Sequence, residues 1–273
     1  GLSAGLGILP PSTKPLVKLQ AGDSVVYIDP EMSGAAVAWK TASQPDILWH
    51  ESRGHLDELL LFSYPAKISF SLQRVYLQEE GASAEMFFRV PDPQNADVTD
   101  TTPAGLEIVK TVTLCADGKK LLSQYQFRNA SGMQRALPIG GRLRSCPRMG
   151  AQFLNDGEAL ANVLQVRVPT SSGNYIVSQG VNSNSNLFFR PGCDNDGEIT
   201  GKLRSHEYTG GEIVLAAGRD GKQSSLAFQA KNAAGLLVWW SDTGPCTIEP
   251  LLDNRLLAPG QSASVDSSIT LNP

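Results

Sequence analysis

Apolar and polar residues alternate in short segments along most of the chain, and these segments are rich in β-branched and aromatic residues. A period of two, interrupted by turns that contain Gly, Pro or Asp, is typical of β-strands. The clearest example is a predicted hairpin, in which Leu106–Cys115 and Leu121–Asn129 flank the turn residues Asp117-Gly118. The other predicted strands are Ser24–Ile28, Ala35–Thr41, Ile47–His50, Lys67–Gln78, Ala84–Val90, Val163–Pro169, Asn174–Val177, Asn186–Arg190, Ile199–Arg204, Glu212–Ala216, Ser224–Ala230, Leu236–Trp240, Cys246–Glu249 and Ala263–Leu271.

Helical spacing is found in two short segments. Leu56, Leu59 and Leu60 recur at helical intervals within Glu51–Phe62, and Asp156–Leu164 has a similar pattern. Both segments are short enough to form a turn or two at most. No repeat of fixed length is present. Many strands and few helical segments predict an all-β fold, a large antiparallel two-sheet β-sandwich. We expect one domain over residues 1–273, with residues 1–20 as an N-terminal extension.

Composition excludes several classes of protein. The chain has 273 residues and a formal net charge of -4, with no block of Lys and Arg, so nucleic acid is not an expected partner. No apolar run approaches the roughly 20 residues that a membrane span needs, so a membrane is not an expected partner either. No secretory signal is visible after Gly1; we expect a periplasmic or secreted protein if such a signal has been removed, and a cytoplasmic one otherwise.

No metal or cofactor is expected from the motifs. The four cysteines lie far apart in sequence, at Cys115, Cys146, Cys193 and Cys246. They could form two disulfides, but we favour four buried free thiols. The acidic run Asp194–Glu198 fits a turn better than calcium, because Leu203 occupies the twelfth position of an EF-hand loop. His50 and His55 are expected in turns or at the surface. Nucleotide-binding glycine motifs are also lacking.

The C-terminal segment carries the first candidate chemistry. Trp239 and Trp240 are adjacent on a predicted strand, so their side chains point to opposite faces of the sheet. One is expected to pack in the core, while the other could stack on a sugar ring. Glu249 follows on the next strand, either as a general base or as a carboxylate that is solvated or paired with an arginine such as Arg255.

A basic cluster is the second candidate. Arg142, Arg144 and Arg148 lie within seven residues of one another. Guanidinium groups bind carboxylates, phosphates and hydroxyls, so this cluster could hold a sugar or an acidic sugar. Ordinary ion pairs in a solvated loop are the alternative.

The order of these segments resembles a known family. Val25–Lys40, the Leu106–Asn129 hairpin, Cys246-Thr247-Ile248-Glu249-Pro250 and Leu257-Ala258-Pro259-Gly260-Gln261 resemble, in sequence order, segments of the galactose mutarotase-like β-supersandwich proteins. That family includes aldose 1-epimerases, hexose-phosphate epimerases and accessory domains of glycoside-active enzymes. The resemblance spans roughly Gly22 to Leu271. It implies a carbohydrate cleft on the concave face of one sheet, with Glu249 as the base of an isomerase and no cofactor.

One departure from the family concerns the acid partner of Glu249. The family places a histidine shortly after the central hairpin, whereas the segment Pro138–Arg148 contains none. His206 is the substitute that the sequence offers.

We therefore predict a carbohydrate-binding protein with an aldose 1-epimerase-like activity as its enzymatic form. Glu249 and His206 are the candidate catalytic residues, and Arg142, Arg144, Arg148, Trp239 and Trp240 are the candidate substrate-binding residues. The alternatives are a non-catalytic carbohydrate-recognition protein and a protein-interaction sandwich whose tryptophans all pack in the core.

Overall fold

A computed structural model describes most of the chain. The described residues are 1–44, 54–61, 68–91, 103–137, 140–180, 184–190, 197–199, 203–244 and 246–271, with the backbone alone for 197–199 and 203–207. They form two large β-sheets packed as a sandwich, and this confirms the predicted all-β fold class. The predicted strand Ile47–His50 lies outside the described residues.

The larger sheet has eleven strands, and neighbours in the sheet are often distant in sequence. In sheet order they are β1 (Leu2–Ile8), β2 (Pro15–Ala21), β3 (Ser24–Asp29), β4 (Ala35–Lys40), β5 (His55–Leu60), β11 (Arg142–Cys146), β20 (Cys246–Leu252), β19 (Ala233–Trp240), β14 (Ser185–Arg190), β16 (Leu203–Glu207) and β15 (Gly197–Ile199). Pairing is antiparallel except between β14 and β16, which run parallel. The antiparallel prediction is therefore correct for this sheet with that one exception.

The smaller sheet has nine strands, all paired in antiparallel fashion. In sheet order they are β13 (Gly173–Ser178), β12 (Leu164–Thr170), β17 (Ile213–Arg219), β18 (Lys222–Lys231), β22 (Ser262–Leu271), β9 (Lys120–Asn129), β8 (Leu106–Cys115), β7 (Gly81–Arg89) and β6 (Ser71–Gln78). Two further strands, β10 (Arg135–Ala136) and β21 (Leu256–Leu257), pair separately. Short 3₁₀ turns lie at Ala151–Phe153 and Leu160–Val163, and the second lies within the predicted helical segment Asp156–Leu164.

Strand alternation builds one core between the sheets. In β9, Leu121, Tyr125 and Phe127 are buried while Gln124 and Gln126 face solvent, as a half-buried strand requires. One continuous cluster of buried apolar residues includes members of both sheets, from Leu19 in β2 to Leu215 in β17. The sandwich is thus held by a shared apolar interior.

The segment taken as an N-terminal extension contributes two strands to this structure. Residues 2–8 and 15–21 form β1 and β2 of the larger sheet, and the Val17 and Leu19 side chains enter the common core. The sequence pattern did not predict these strands, because β1 is rich in glycine and carries Leu6 and Ile8 exposed at the sheet edge.

The helix predicted within Glu51–Phe62 is wrong for the part that is described. His55–Leu60 forms the strand β5, and all six of its residues are buried. Leu56 and Leu59 are three positions apart, so a regular strand would point them to opposite faces. Both enter the core because Asp57 between them has a left-handed φ of +60°. This irregularity breaks the alternation of side chains, as a β-bulge does, and produces the spacing that resembles a helix.

A buried polar network from the smaller sheet holds this irregular strand. The Lys110 ammonium donates to the Asp57 carbonyl at 2.6 Å and lies 3.2 Å from its carboxylate. The Tyr125 hydroxyl donates to the Asp57 carboxylate at 2.8 Å. The Asp57 amide in turn donates to the Ser145 hydroxyl of β11 at 2.9 Å. Charged and polar groups that are buried this deeply are stable when they satisfy one another, as these do.

Burial shifts the acidity of the two ionisable partners from the smaller sheet. The pKa of Lys110 is lowered because its fully buried ammonium has lost its hydration, although Asp57 opposes this effect. The pKa of Tyr125 is raised well above its usual 10, first by burial and then by the neighbouring Asp57 carboxylate. Among the described residues, no helix has the length and apolar character needed to span a membrane.

Candidate functional site

Three adjacent strands of the larger sheet, β11, β20 and β19, carry polar and aromatic side chains on the face turned away from the core. On β11, Arg142 and Arg144 alternate with Leu143, which packs in the core. The side chains border a cavity of about 330 Å³, lined by Arg142, Arg144, Asn186, Leu237, Trp239, Thr247 and Glu249. Four of the seven predicted site residues therefore lie together.

Glu249 is the most strongly fixed group in the cavity. It is 4% exposed and lies at the centre of β20, where Leu237 of β19 is its partner in the register. One carboxylate oxygen accepts from Arg142 Nε at 2.7 Å, and the other accepts from the Thr247 hydroxyl at 2.7 Å. The sequence left a non-catalytic Glu249 either solvated or paired with an arginine, and the structure shows it paired with an arginine. The partner is Arg142, whereas Arg255 is exposed.

The two arginines of the cavity differ in how firmly they are held. Arg142 donates from Nε to Glu249 and from Nη1 to the Gly140 carbonyl at 2.9 Å. Arg144 lies between two carboxylates at longer range, with Nε 3.9 Å from Glu249 and Nη1 3.8 Å from Glu58. Its side chain is 26% exposed. Arg144 is thus the guanidinium that can turn toward a ligand with the smaller loss of existing hydrogen bonds.

The tryptophan pair divides between the two faces of the sheet, as predicted. Trp239 lines the cavity and is partly exposed, and its register partner is Thr247. Trp240 is 1% exposed and belongs to the core, so the predicted substrate-binding role of this residue is not supported. Trp39 also packs in the core, where its indole nitrogen donates to the Ser24 hydroxyl at 2.8 Å. Trp49 lies outside the described residues.

Strand β5 extends the charged part of the site with two residues that the sequence did not suggest. Glu58 is the register partner of Arg144, and its carboxylate lies 3.0 Å from His55 Nε2. A regular strand would send residues 55 and 58 to opposite faces, but the irregular backbone at Asp57 brings them together. The expectation of a turn or surface position for His55 is wrong, since this residue is buried in a central strand.

Arg148 lies apart from the cavity lining. It is half-buried beside the thiol of Cys146, close to the end of β11. Burial raises the pKa of Cys146, and it raises the pKa of Cys246 to about 12. Thiols of this kind stay protonated at neutral pH and react slowly. Cys115, Cys146 and Cys246 are free thiols, and Cys193 lies outside the described residues.

His206 is located by its backbone alone. It lies in β16 as the register partner of Phe189, whose side chain is in the core, whereas the cavity residue of β14 is Asn186. The His206 side chain lies outside what the structure describes, so its catalytic role stays a prediction. His50 and residues 194–196 of the acidic run are likewise outside the described residues. Within those that are described, no three His, Cys, Asp or Glu side chains group as metal ligands.

Other clefts are larger or of similar size, but their chemistry is less specific. The cleft across β8, β9 and β22 measures about 510 Å³, and an adjoining one measures about 290 Å³. Gln and Ser side chains are common in the lining of both clefts, and the Tyr125 ring at the first cleft is 1% exposed. The β11–β20–β19 cavity is the better candidate because it combines an accessible aromatic face with fixed charged groups.

Comparison with solved structures identifies the fold. A galactose mutarotase-like protein from Clostridium acetobutylicum aligns over 99% of this chain and 98% of its own, with a TM-score of 0.59 and 11% identity. A galactose mutarotase-like protein from Lactobacillus casei covers 94% and 100%, with a TM-score of 0.55 and 13% identity. A proposed aldose 1-epimerase from Escherichia coli K12 covers 100% and 99%, with a TM-score of 0.51 and 8% identity.

Sequence comparison adds no assignment. No protein-family model matches the chain, and no curated protein matches it. At identities of 8 to 14%, the structural likeness establishes the architecture alone. This chain has the galactose mutarotase-like β-sandwich fold.

Proposed function

We propose that this protein binds a carbohydrate in the cavity formed by β11, β20 and β19. The observation that carries the proposal is that Trp239 and the Arg142–Glu249 pair line the same cavity. An indole face packs against the apolar C–H surface of a sugar ring, while charged and amide groups bind its hydroxyls. A cavity of about 330 Å³ is of the size used for small molecules.

The cavity supplies the donors and acceptors that a sugar ring requires. Arg144 offers N–H donors, Asn186 offers both a donor and an acceptor, and Glu249 is an acceptor. Thr247 already donates to Glu249, so its hydroxyl oxygen can accept from the ligand. Galactose mutarotase-like proteins among the structural neighbours support a sugar-related function for this fold.

The enzymatic form of this proposal is exchange at an anomeric carbon. In that reaction, Glu249 takes the proton of the anomeric hydroxyl and an acid protonates the ring oxygen, so that the ring opens. Both oxygens of Glu249 already have protein partners, Arg142 and Thr247. A sugar hydroxyl must share or replace one of them. This arrangement favours recognition as the primary activity, and turnover depends on whether a donor such as His206 reaches the ring.

The test is a binding screen with a variant of the aromatic wall. Ligand-observed NMR and calorimetry on glucose, galactose, mannose and short oligosaccharides should detect binding to the wild type. Trp239→Ala should weaken it about tenfold, since an aromatic contact contributes up to about 1.5 kcal/mol beyond area burial.

Trp239→Phe should retain more of the affinity, because it keeps a ring at the same position. Tyr76→Ala serves as a matched control, since Tyr76 is a partly exposed aromatic residue on the other sheet. The proposal fails if no carbohydrate binds, or if Trp239→Ala and Tyr76→Ala bind equally well.

A further inference from the structure

We propose that Glu58 determines the charge selectivity of the cavity, because it neutralises Arg144, the arginine that is free to turn toward a ligand. The inference rests on the proposed carbohydrate-binding function and adds to it a specificity residue from β5. Glu58 is not part of the cavity lining, and its effect on a ligand is exerted through Arg144.

The two arginines of the cavity differ in the hydrogen bonds that hold them. Arg142 is committed to Glu249 and to the Gly140 carbonyl through bonds of 2.7 and 2.9 Å. Arg144 has its nearest carboxylate oxygens at 3.8 and 3.9 Å, beyond hydrogen-bond distance. A ligand oxygen can therefore reach Arg144 without breaking a short bond, and Arg144 becomes the main cationic contact for a ligand.

Charged side chains of both signs surround Arg144. The two guanidinium groups of Arg142 and Arg144 are matched by the two carboxylates of Glu58 and Glu249. The Glu58 and Glu249 side chains are 4% and 5% exposed, so solvent screens them weakly and their charges act at close range. The charges of these four side chains sum to zero, so an anionic ligand that approaches Arg144 gains no net attraction from them.

The fold fixes the position of Glu58. The left-handed Asp57 places Glu58 opposite Arg144, and the Lys110 and Tyr125 contacts hold Asp57 from the other sheet. His55 Nε2 lies 3.0 Å from the same Glu58 carboxylate oxygen that Arg144 approaches. The negative charge is therefore part of the scaffold.

The substitution Glu58→Gln tests this inference, because it removes one charge and keeps the shape of the side chain. For each neutral aldose that binds, calorimetry compares the aldose with its uronic acid and its 6-phosphate. The wild type should favour the neutral sugar over both anions. In the Glu58→Gln variant, the ratio of anion affinity to neutral-sugar affinity should rise at least about tenfold.

Glu85→Gln is the matched control. Glu85 pairs with Arg74 on the smaller sheet at 3.3 Å, so its substitution removes a paired carboxylate far from the cavity and should leave the affinity ratio unchanged. Circular dichroism establishes that both variants are folded. The preference of the wild type for the neutral sugar over its anionic forms is a second measurement, and it needs no variant.

The outcomes separate the inference from the function on which it rests. If the wild type binds no sugar, the proposed function itself fails. If the wild type binds sugars but prefers the anions, or if Glu58→Gln leaves the ratio within twofold of the wild-type value, the role of Glu58 is overturned while carbohydrate binding stands.

Discussion

At the scale of single residues, the proposed role of Glu249 in ligand binding depends on its role in the structure. Its two oxygens receive bonds from Arg142 and Thr247, so the carboxylate fixes the arginine that forms one wall of the cavity. Removing the Glu249 charge should therefore disturb both the position of Arg142 and the proposed binding of a ligand. The partly buried Arg142 guanidinium would lose its carboxylate partner and keep a charge that is less well compensated.

We therefore expect Glu249→Gln to weaken sugar binding about tenfold or more, because the amide cannot replace the ion pair with Arg142. Calorimetry measures the affinity, and NMR exchange between the two anomers measures turnover on the same samples. If the wild type accelerates exchange and the sugar-saturated variant does not, Glu249 is also the base that the family resemblance implies. Unchanged affinity in Glu249→Gln would contradict its place in the binding site.

At the scale of single elements, β5 connects the core to the site. Its inward side carries Leu56, Asp57 and Leu59, and its opposite side presents Glu58 to Arg144. The backbone at Asp57 determines both sides. Tyr125 helps to hold that backbone through a 2.8 Å bond to the Asp57 carboxylate, and both residues are nearly fully buried.

Tyr125→Phe should lower the free energy of unfolding by about 1–3 kcal/mol at about pH 8, since it leaves a buried carboxylate with one donor fewer. The difference in the free energy of unfolding between the wild type and Tyr125→Phe should shrink as the pH rises above about 10. The pKa of Tyr125 is raised in the folded state, so its stabilisation is complete below the unfolded pKa of about 10 and is lost as the pH rises above it.

Urea unfolding at about pH 8 and about pH 11 measures both effects. Tyr76→Phe is the control, since Tyr76 is partly exposed on β6 and has a cationic neighbour, Arg74, over its ring. A Tyr125→Phe variant as stable as the control at about pH 8 would show that the bond to Asp57 does not stabilise β5.

The strands also show which features a sequence pattern can and cannot predict. The Leu106–Cys115 strand is predicted to the residue, and its partner begins at Lys120, one residue before the prediction, because β-branched residues and the Asp117-Gly118 turn mark this hairpin in the sequence. The helix prediction for β5 is wrong because Leu56 and Leu59, three positions apart, lie on the same face of the strand. One left-handed residue, Asp57, produces this arrangement. Nothing local in the sequence marks such a residue.

The same reasoning explains the partial prediction of the site. Arg142, Arg144, Trp239 and Glu249 could be proposed because each lies on a strand with a recognisable alternation, and three neighbouring strands bring them together. Glu58 could not be proposed from the sequence, because its pairing with Arg144 joins strands that are distant in sequence and depends on the bulge in β5. Arg148 was included for its nearness in sequence alone, and it lies beyond the cavity lining.

At the scale of the whole molecule, the shared core predicts that the chain unfolds as one unit. The apolar cluster includes Leu19 of β2 in the larger sheet and Leu215 of β17 in the smaller one, and neither side chain is exposed. When two sheets bury the same interior, neither can keep its apolar face covered after the other has unfolded. We expect residues 1–20 to unfold with this unit, since β2 supplies Val17 and Leu19 to the cluster.

Leu19→Ala and Leu215→Ala should therefore each shift one common unfolding transition, by about 2–5 kcal/mol in the free energy of unfolding. Urea unfolding followed by tryptophan fluorescence and by circular dichroism provides the measurement, and both signals should change together. Leu6→Ala is the matched control, because Leu6 is 60% exposed on β1 and its loss leaves no cavity in the core. Two separate transitions, of which Leu19→Ala moves one and Leu215→Ala the other, would show that the sheets are independent domains. A Leu19→Ala variant as stable as Leu6→Ala would show that the N-terminal strands are an appendage, because a side chain that fills a shared core cannot be truncated without cost to the whole sandwich.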